Sequence, residues 1–362
     1  MSHGSPFLER SARALRAREA KMRRRRRRRQ VAAMTLAILV VGGALFALSR
    51  TSTTHGSEAA SKNGGGRKHG AAHATTKLSP AGLPLGHPPL GLDVSGSGDP
   101  VHVAFRHPPR AGLLFNLDNG KVLWQLNPLT HLHIASLTKM MTALRVVRSS
   151  SPDEGVVVTK QAVSSAGSKV GVLPLGRHVR LKTMLYGLLL PSGNDAAMAL
   201  AQHVSGSAGA FVAGMNQEAA RLGMGCTHYT SPSGYVNARN YSCAADLAEL
   251  AHVDLEQPLI AHIVRTYKAV LPFPIKGGKL YLYNNNPLLI YGYPGTTGLK
   301  TGYTELAGKC LVATAERDGV RLGVVLLDSP TPATQARSLL DQGFEDFYNL
   351  PKETEPSIPD TE

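Results

Sequence analysis

Cysteine, tryptophan and charge are all scarce in this chain: 362 residues hold three Cys, one Trp and 18% Asp, Glu, Lys and Arg. Cys226, Cys243 and Cys310 form no CxxC pair and no metal-ligand spacing, which argues against a cysteine metal site. One disulfide is open to them, with Cys226 and Cys243 the favoured pair because Cys310 stands in the apolar run CLVATA. An odd count leaves at least one free thiol. No HExxH occurs, and His131 with His133 has no evident third ligand, so the histidines read as loop and surface groups; no metal and no other cofactor is expected. Acids are almost missing from the N-terminus. Residues 1–30 hold 12 Lys and Arg against 2 acids, +10 of the formal +15, whereas from residue 101 onward 23 basic side chains face 20 acidic ones. The folded part is therefore only mildly basic, and the net charge says little about its substrate. No internal repeat is present. What remains is 43% hydrophobic, enough to bury a sizeable core.

The run Arg23 to Arg29 is followed at once by VAAMTLAILVVGGALFALS, residues 31–49. An uncharged stretch of this length is near the lower limit for a spanning helix, and positive charge on its N-terminal flank holds that side in the cytoplasm. The expectation is a basic cytoplasmic tail over 1–30, a transmembrane signal anchor over 31–49 and everything later outside. Small residues at Ala47 and Ser49 leave a cleaved signal peptide as the alternative. Because the apolar span abuts the arginines, their partner is the cytoplasmic membrane, and no nucleic acid is expected. Residues 50–105 are rich in Ser, Thr, Gly, His and Pro and read as a flexible extracytoplasmic linker, with its first fifty or so residues spanning roughly 40 Å. The acidic stretch 351–362 reads as a disordered tail.

Between them, 106–350 reads as one folded domain. GLLFNL and KVLWQL flank Asp118-Asn119-Gly120, a signal for a hairpin closed by a tight type I′ turn. A helix is predicted from about Ala135, with Leu137, Met140, Met141, Leu144 and Val147 at helical spacing. Further helices are predicted in LKTMLYGLLL, in NDAAMALAQHV, over 208–222 and over 243–256. The strands KCLVATAE and VRLGVVLLD meet at Arg317-Asp318-Gly319, and ATQARSLLDQGFEDFYNL closes the domain as an amphipathic helix. Trp124 is expected in the core. Strand hairpins at both ends and helices between them make an α+β domain, an antiparallel sheet flanked by helices with a helical subdomain.

Ser136 and Lys139 share a helix face, so a neutral lysine amine could take the serine proton. That role needs desolvation or a neighbouring cation to bring the amine down from about 10.4. Alone the pairing is weak. Two other stretches strengthen it: Ser192-Gly193-Asn194 at a predicted helix start, and Lys300-Thr301-Gly302 ahead of CLVATA. On an edge strand the latter offers a cation, a hydroxyl and a glycine without side chain, which would let a substrate backbone lie alongside and dock its carboxylate.

In this order and at these separations, SLTK, SGN and KTG resemble the motif triplet of the penicillin-recognising serine enzymes. ASLTKMMTAL, LLLPSGNDAAMALA, YSCAADLA and GLKTGYTELAGKCLVATA are closest to the low-molecular-weight penicillin-binding proteins, the serine D-alanyl-D-alanine carboxypeptidases, over roughly residues 108–330. The resemblance implies the serine β-lactamase/penicillin-binding-protein-like transpeptidase fold and a bacterial source, and with the apolar span 31–49 the expectation is a single-pass protein of a bacterial cell membrane. Its substrate would be the peptidoglycan stem peptide, with β-lactams as inhibitors. By the same resemblance Ser136 is the nucleophile, Lys139 its base, Ser192 a proton relay and Asn194 a partner of Lys139 and of the substrate amide. Lys300 and Thr301 would hold the terminal carboxylate beside Gly302, and the N–H groups of Ser136 and Tyr303 would form the oxyanion hole. Three departures stand out: His133-Ile134 where proline is common, Ser231-Pro232-Ser233-Gly234 where Asn-Pro-x-Gly is frequent, and Asn240 where histidine is usual before the Tyr-Ser pair. A serine β-lactamase shares the triplet, but the Glu-x-x-Leu-Asn pattern many of them use does not occur. A silent wall-binding module would be expected to have lost one of Ser136, Lys139, Ser192, Asn194 or Lys300, and all five are present. Asp195 reads as an early-helix acid with no catalytic role.

Overall fold

Asn116 starts the fold's first turn with its own side chain. Strands β1, Ala111–Asn116, and β2, Val122–Leu126, form the expected hairpin. It is not closed by a type I′ turn, because only Gly120 takes a positive φ, while Asn116 Oδ1 accepts the N–H groups of Asp118 at 2.8 Å and Asn119 at 3.1 Å. The type I′ geometry appears instead at Asp318-Gly319, where both residues have positive φ. This structure is a computed structural model. It describes residues 77–96, 99–235 and 239–350; the tail 1–30, the apolar span 31–49, the linker up to residue 76 and the acidic tail 351–362 lie outside the described residues.

Three further strands, β3, Thr296–Thr304, β4, Gly308–Arg317, and β5, Val320–Leu327, complete a five-stranded antiparallel sheet of order β2-β1-β5-β4-β3. Both faces are covered, so β5 reads as a continuous apolar run. Leu322, Val324 and Leu326 join a core with Trp124, Ala336, Leu339 and Leu340, whereas Val325 and Leu327 turn to the larger core on the opposite face. The first core is closed by α7, Pro332–Gln342. The helix expected to run through 350 ends there and passes into a single π turn, Gly343–Phe347.

The larger core is helical. A 3-10 turn, Ala135–Leu137, leads into α1, Thr138–Ser149, whose Met140, Met141, Thr142, Ala143, Leu144 and Val146 are all buried. Eight consecutive or near-consecutive buried residues, Thr138 to Leu144 and Val146, make it a central helix. Around it stand α2, Leu181–Leu189, α3, Asn194–Ser205, α4, Ala208–Arg221, α5, Ala244–Leu255, and α6, Pro258–Val264. Cys226 and Cys243 form a disulfide with Cα atoms 5.6 Å apart, and Cys310 is free and buried.

Residues 77–105 differ from the tether expected there. Gly86 N donates to Ala220 O at 2.8 Å, the Glu249 carboxylate accepts the N–H groups of Leu90 at 2.7 Å and Leu92 at 3.1 Å, and Val101 is 1% exposed. The strap is fixed by hydrogen bonds from its main chain to distant partners, a signal that composition does not carry, and by Leu90, Leu92, Val94 and Val101 against the cores.

Candidate active site

The sheet edge and the start of α1 meet at Gly302. A Cβ there would lie 2.8 Å from Ile134 O and 3.2 Å from Ser136 N, so the missing side chain makes room for the serine's own backbone. The sequence reading gave that space to substrate. The next contact is Lys139, fully buried, whose Nζ donates to Ser136 Oγ at 2.8 Å, Asn194 Oδ1 at 2.7 Å and Ser233 O at 3.1 Å. All three motif segments therefore converge, although Ser136 and Asn194 are 58 positions apart in the chain and Lys300 lies farther still.

Burial drives the Lys139 amine well below the ordinary lysine range, the Lys300 ammonium adds to the fall, and the Asp195 carboxylate opposes it. Lys300, 1% exposed, is lowered by burial to about 7, with its Nζ donating to Thr301 O at 3.0 Å. Two amines share one dry region, and the Lys300 charge makes Lys139 harder to protonate.

Ser136, Ser192, Thr301, Gly302 and Tyr303 line a common cleft of about 490 Å³, together with Ser168 and Asn285. Lys300 is buried behind that lining, while Tyr303 stands at the rim, 66% exposed. Ser192 is not the cap of α3. It has a φ of 65°, Gly193 takes the capping position, and the Ser192 hydroxyl is buried with no hydrogen-bond partner among the described residues. Ala135, beside Ser136, also has a positive φ, 45°. Such backbone costs about 1–3 kcal/mol per residue and is held where surrounding packing over-determines it.

The family model described as D-alanyl-D-alanine carboxypeptidase matches residues 103–331. The chain belongs to that family. It is 34% identical over 255 residues to the D-alanyl-D-alanine carboxypeptidase DacF of Bacillus subtilis, covering 68% of this chain and 64% of that protein's length. It is 36% identical over 245 residues to DacB2 of Mycobacterium tuberculosis, which bears the same activity name, covering 66% of this chain and 82% of the relative. The crystal structure of the DD-transpeptidase of Streptomyces strain K15 superposes with a TM-score of 0.63 at 30% identity, over 67% of this chain and 99% of that one. The fold is thus that of the penicillin-binding serine peptidases.

The departures from the family pattern are absorbed locally. Ser231 Oγ accepts from Gly234 N at 2.9 Å, which holds the turn that an asparagine would otherwise start. Gly234 has no room for a Cβ, which would lie 1.9 Å from Ala135 O. Asn240 Nδ2 donates to Thr138 Oγ1 at 2.8 Å and so braces the first turn of α1. The Ser233 carbonyl on Lys139 is a contact the sequence could not reveal, since any residue offers a carbonyl. Asp195 accepts from Val170 N at 2.9 Å and Gly171 N at 3.0 Å, fixing the loop whose Ser168 borders the cleft.

Proposed function

We propose that the protein is a membrane-anchored serine D-alanyl-D-alanine carboxypeptidase that removes the terminal D-alanine from peptidoglycan stem peptides. The observation that carries this reading is the buried, depressed Lys139 amine at 2.8 Å from the Ser136 hydroxyl. Neutral Lys139 takes the hydroxyl proton as Ser136 Oγ attacks the carbonyl between the two D-alanines. The N–H groups of Ser136 and Tyr303 receive the oxyanion. Ser192 passes a proton to the departing amine, with Asn194 holding Lys139 in place. Lys300 and Thr301, flanking Gly302, bind the terminal carboxylate. Water then attacks the ester on Ser136, releases the shortened peptide and returns the proton to the hydroxyl. A β-lactam enters the same path, opens its ring on Ser136 and stays as a slow ester. Intact-mass measurement after penicillin exposure tests the proposal. One adduct, lost in Ser136→Ala together with D-alanine release from a soluble pentapeptide, is expected; rapid β-lactam turnover or an unlabelled protein that releases no D-alanine would sink it.

Anchoring belongs to the same proposal. Among the described residues no helix is long and apolar enough to cross a membrane, so an anchor would have to be residues 31–49. The disulfide supports an oxidising, extracytoplasmic setting for the domain. Removal of residues 1–49 should move the protein from the alkali-washed membrane fraction to the soluble one.

A further inference from the structure

The hairpin of Lys268–Pro272 and Lys279–Tyr283 takes no part in the site described above. Its inner face is core, with Ala269, Leu280 and Leu282 buried. Its outer face pairs Lys268 with Tyr283, Val270 with Tyr281 and Pro272 with Lys279. Tyr267, Val270, Tyr281 and Tyr283 are 49%, 46%, 57% and 50% exposed. The rings are ordered against each other: Tyr267 meets Tyr283 edge-on at 6.4 Å, and Lys268 Nζ stands 5.5 Å from the Tyr283 centroid. The root of the hairpin is fixed by Asn284, whose Nδ2 donates to Val264 O at 2.9 Å and Thr266 O at 3.1 Å. Two residues after Tyr283, Asn285 lines the cleft, its N–H donating to Leu190 O at 3.3 Å, just before Pro191-Ser192. The tyrosine face and the cleft are joined by one short, pinned piece of chain.

We propose that this face is a docking platform for the glycan strands of peptidoglycan, which it holds beside the cleft while a stem peptide enters. The proposal rests on the carboxypeptidase reading. A pyranose ring presents C–H groups on its faces and hydroxyls on its edge, and tyrosine answers both with an apolar ring and a hydrogen-bonding tip. Lys268 and Lys279 complement the carboxylates that stem peptides carry along the polymer. A lipid surface fits less well. The outer face offers a single aliphatic, Val270, and at the hairpin tip Phe273 is buried, so little apolar surface is free to enter a bilayer. Binding one polymer at two joined places raises the local concentration of its stem peptides at the cleft, an advantage no short peptide can share.

The test uses the full-length chain and the double variant Tyr281→Ala plus Tyr283→Ala. D-alanine release from insoluble peptidoglycan, and co-sedimentation with it, should each fall about tenfold. The kcat/KM on a soluble pentapeptide and the rate of penicillin labelling of Ser136 should stay within about twofold, because the tyrosines are exposed and outside the cleft. Lys268→Glu plus Lys279→Glu should act in the same direction. Unchanged co-sedimentation would overturn the proposal. So would an equal loss on the soluble pentapeptide, or loss of binding to phosphatidylglycerol vesicles with peptidoglycan binding intact, which would assign the face to lipid. Failure of the carboxypeptidase reading registers separately, as absent D-alanine release by the unmodified protein, while co-sedimentation still reports on the platform.

Discussion

Lys139 Nζ has three acceptors and no exposure to water, a setting that suits an amine and not a guanidinium. Lys139→Arg keeps the positive charge and cannot become neutral, so D-alanine release should fall by about 10³-fold, read as kcat on a soluble pentapeptide, with the fold intact by circular dichroism. Lys300 sets a second expectation. Its amine titrates at about 7 in the free protein, so the ammonium that draws a carboxylate is lost as pH rises through that value. The kcat/KM for substrates with a free carboxylate should therefore decline above about pH 7, and Lys300→Arg, which keeps its charge, should push that alkaline limb upward. The unfolded chain holds the same proton to about 10.4, so it binds more protons than the folded state between these limits. Stability should rise across that window, and melting curves of Lys300→Met should lose the Lys300 share of the dependence, the buried Lys139 amine keeping the rest, and gain up to about 2 kcal/mol at pH 7.

At the scale of elements, the loop closed by Cys226 and Cys243 carries the Ser233 carbonyl that touches Lys139. With a sequence separation of 17, cross-linking should stabilise by about 3 kcal/mol, and reduction should lower the melting temperature by several degrees and slow penicillin labelling, as measured by intact mass over time. The helices α1 to α5 and the strands β4 and β5 were readable because their apolar residues repeat at 3.6 or run unbroken. The three segments of the candidate site were readable because each places a reactive side chain at a fixed offset from its neighbours. The rest was hidden for a physical reason: it is backbone. The Ser233 carbonyl, the left-handed Ser192, the turn capped by Asn116 and the Glu249 clamp on Leu90 and Leu92 depend on main-chain groups that leave no residue-type signature. The helix across 333–350 was overextended because Phe344 and Phe347 continue the apolar pattern through the π turn, and both pack in the core beneath the sheet.

The whole domain is larger than the stretch its family shares. The strap from 77 to 102 precedes the matched region yet packs Leu90, Leu92 and Val94 against the main core. A chain beginning at residue 103 should melt several degrees lower than one beginning at 77 while keeping its rate of penicillin labelling, and Glu249→Ala should produce part of that loss by freeing two N–H groups. The contact at Gly302 reaches further. Because the strand and the turn that carries Ser136 touch with no side chain between them, the floor of the cleft is a backbone seam with no side chain there to exchange for a smaller one. Discrimination among stem peptides of different chemistry is then left to the mouth, to Tyr303 and Ser168, and it is there that exchanging one residue should retune preference without touching the rate of bond cleavage itself.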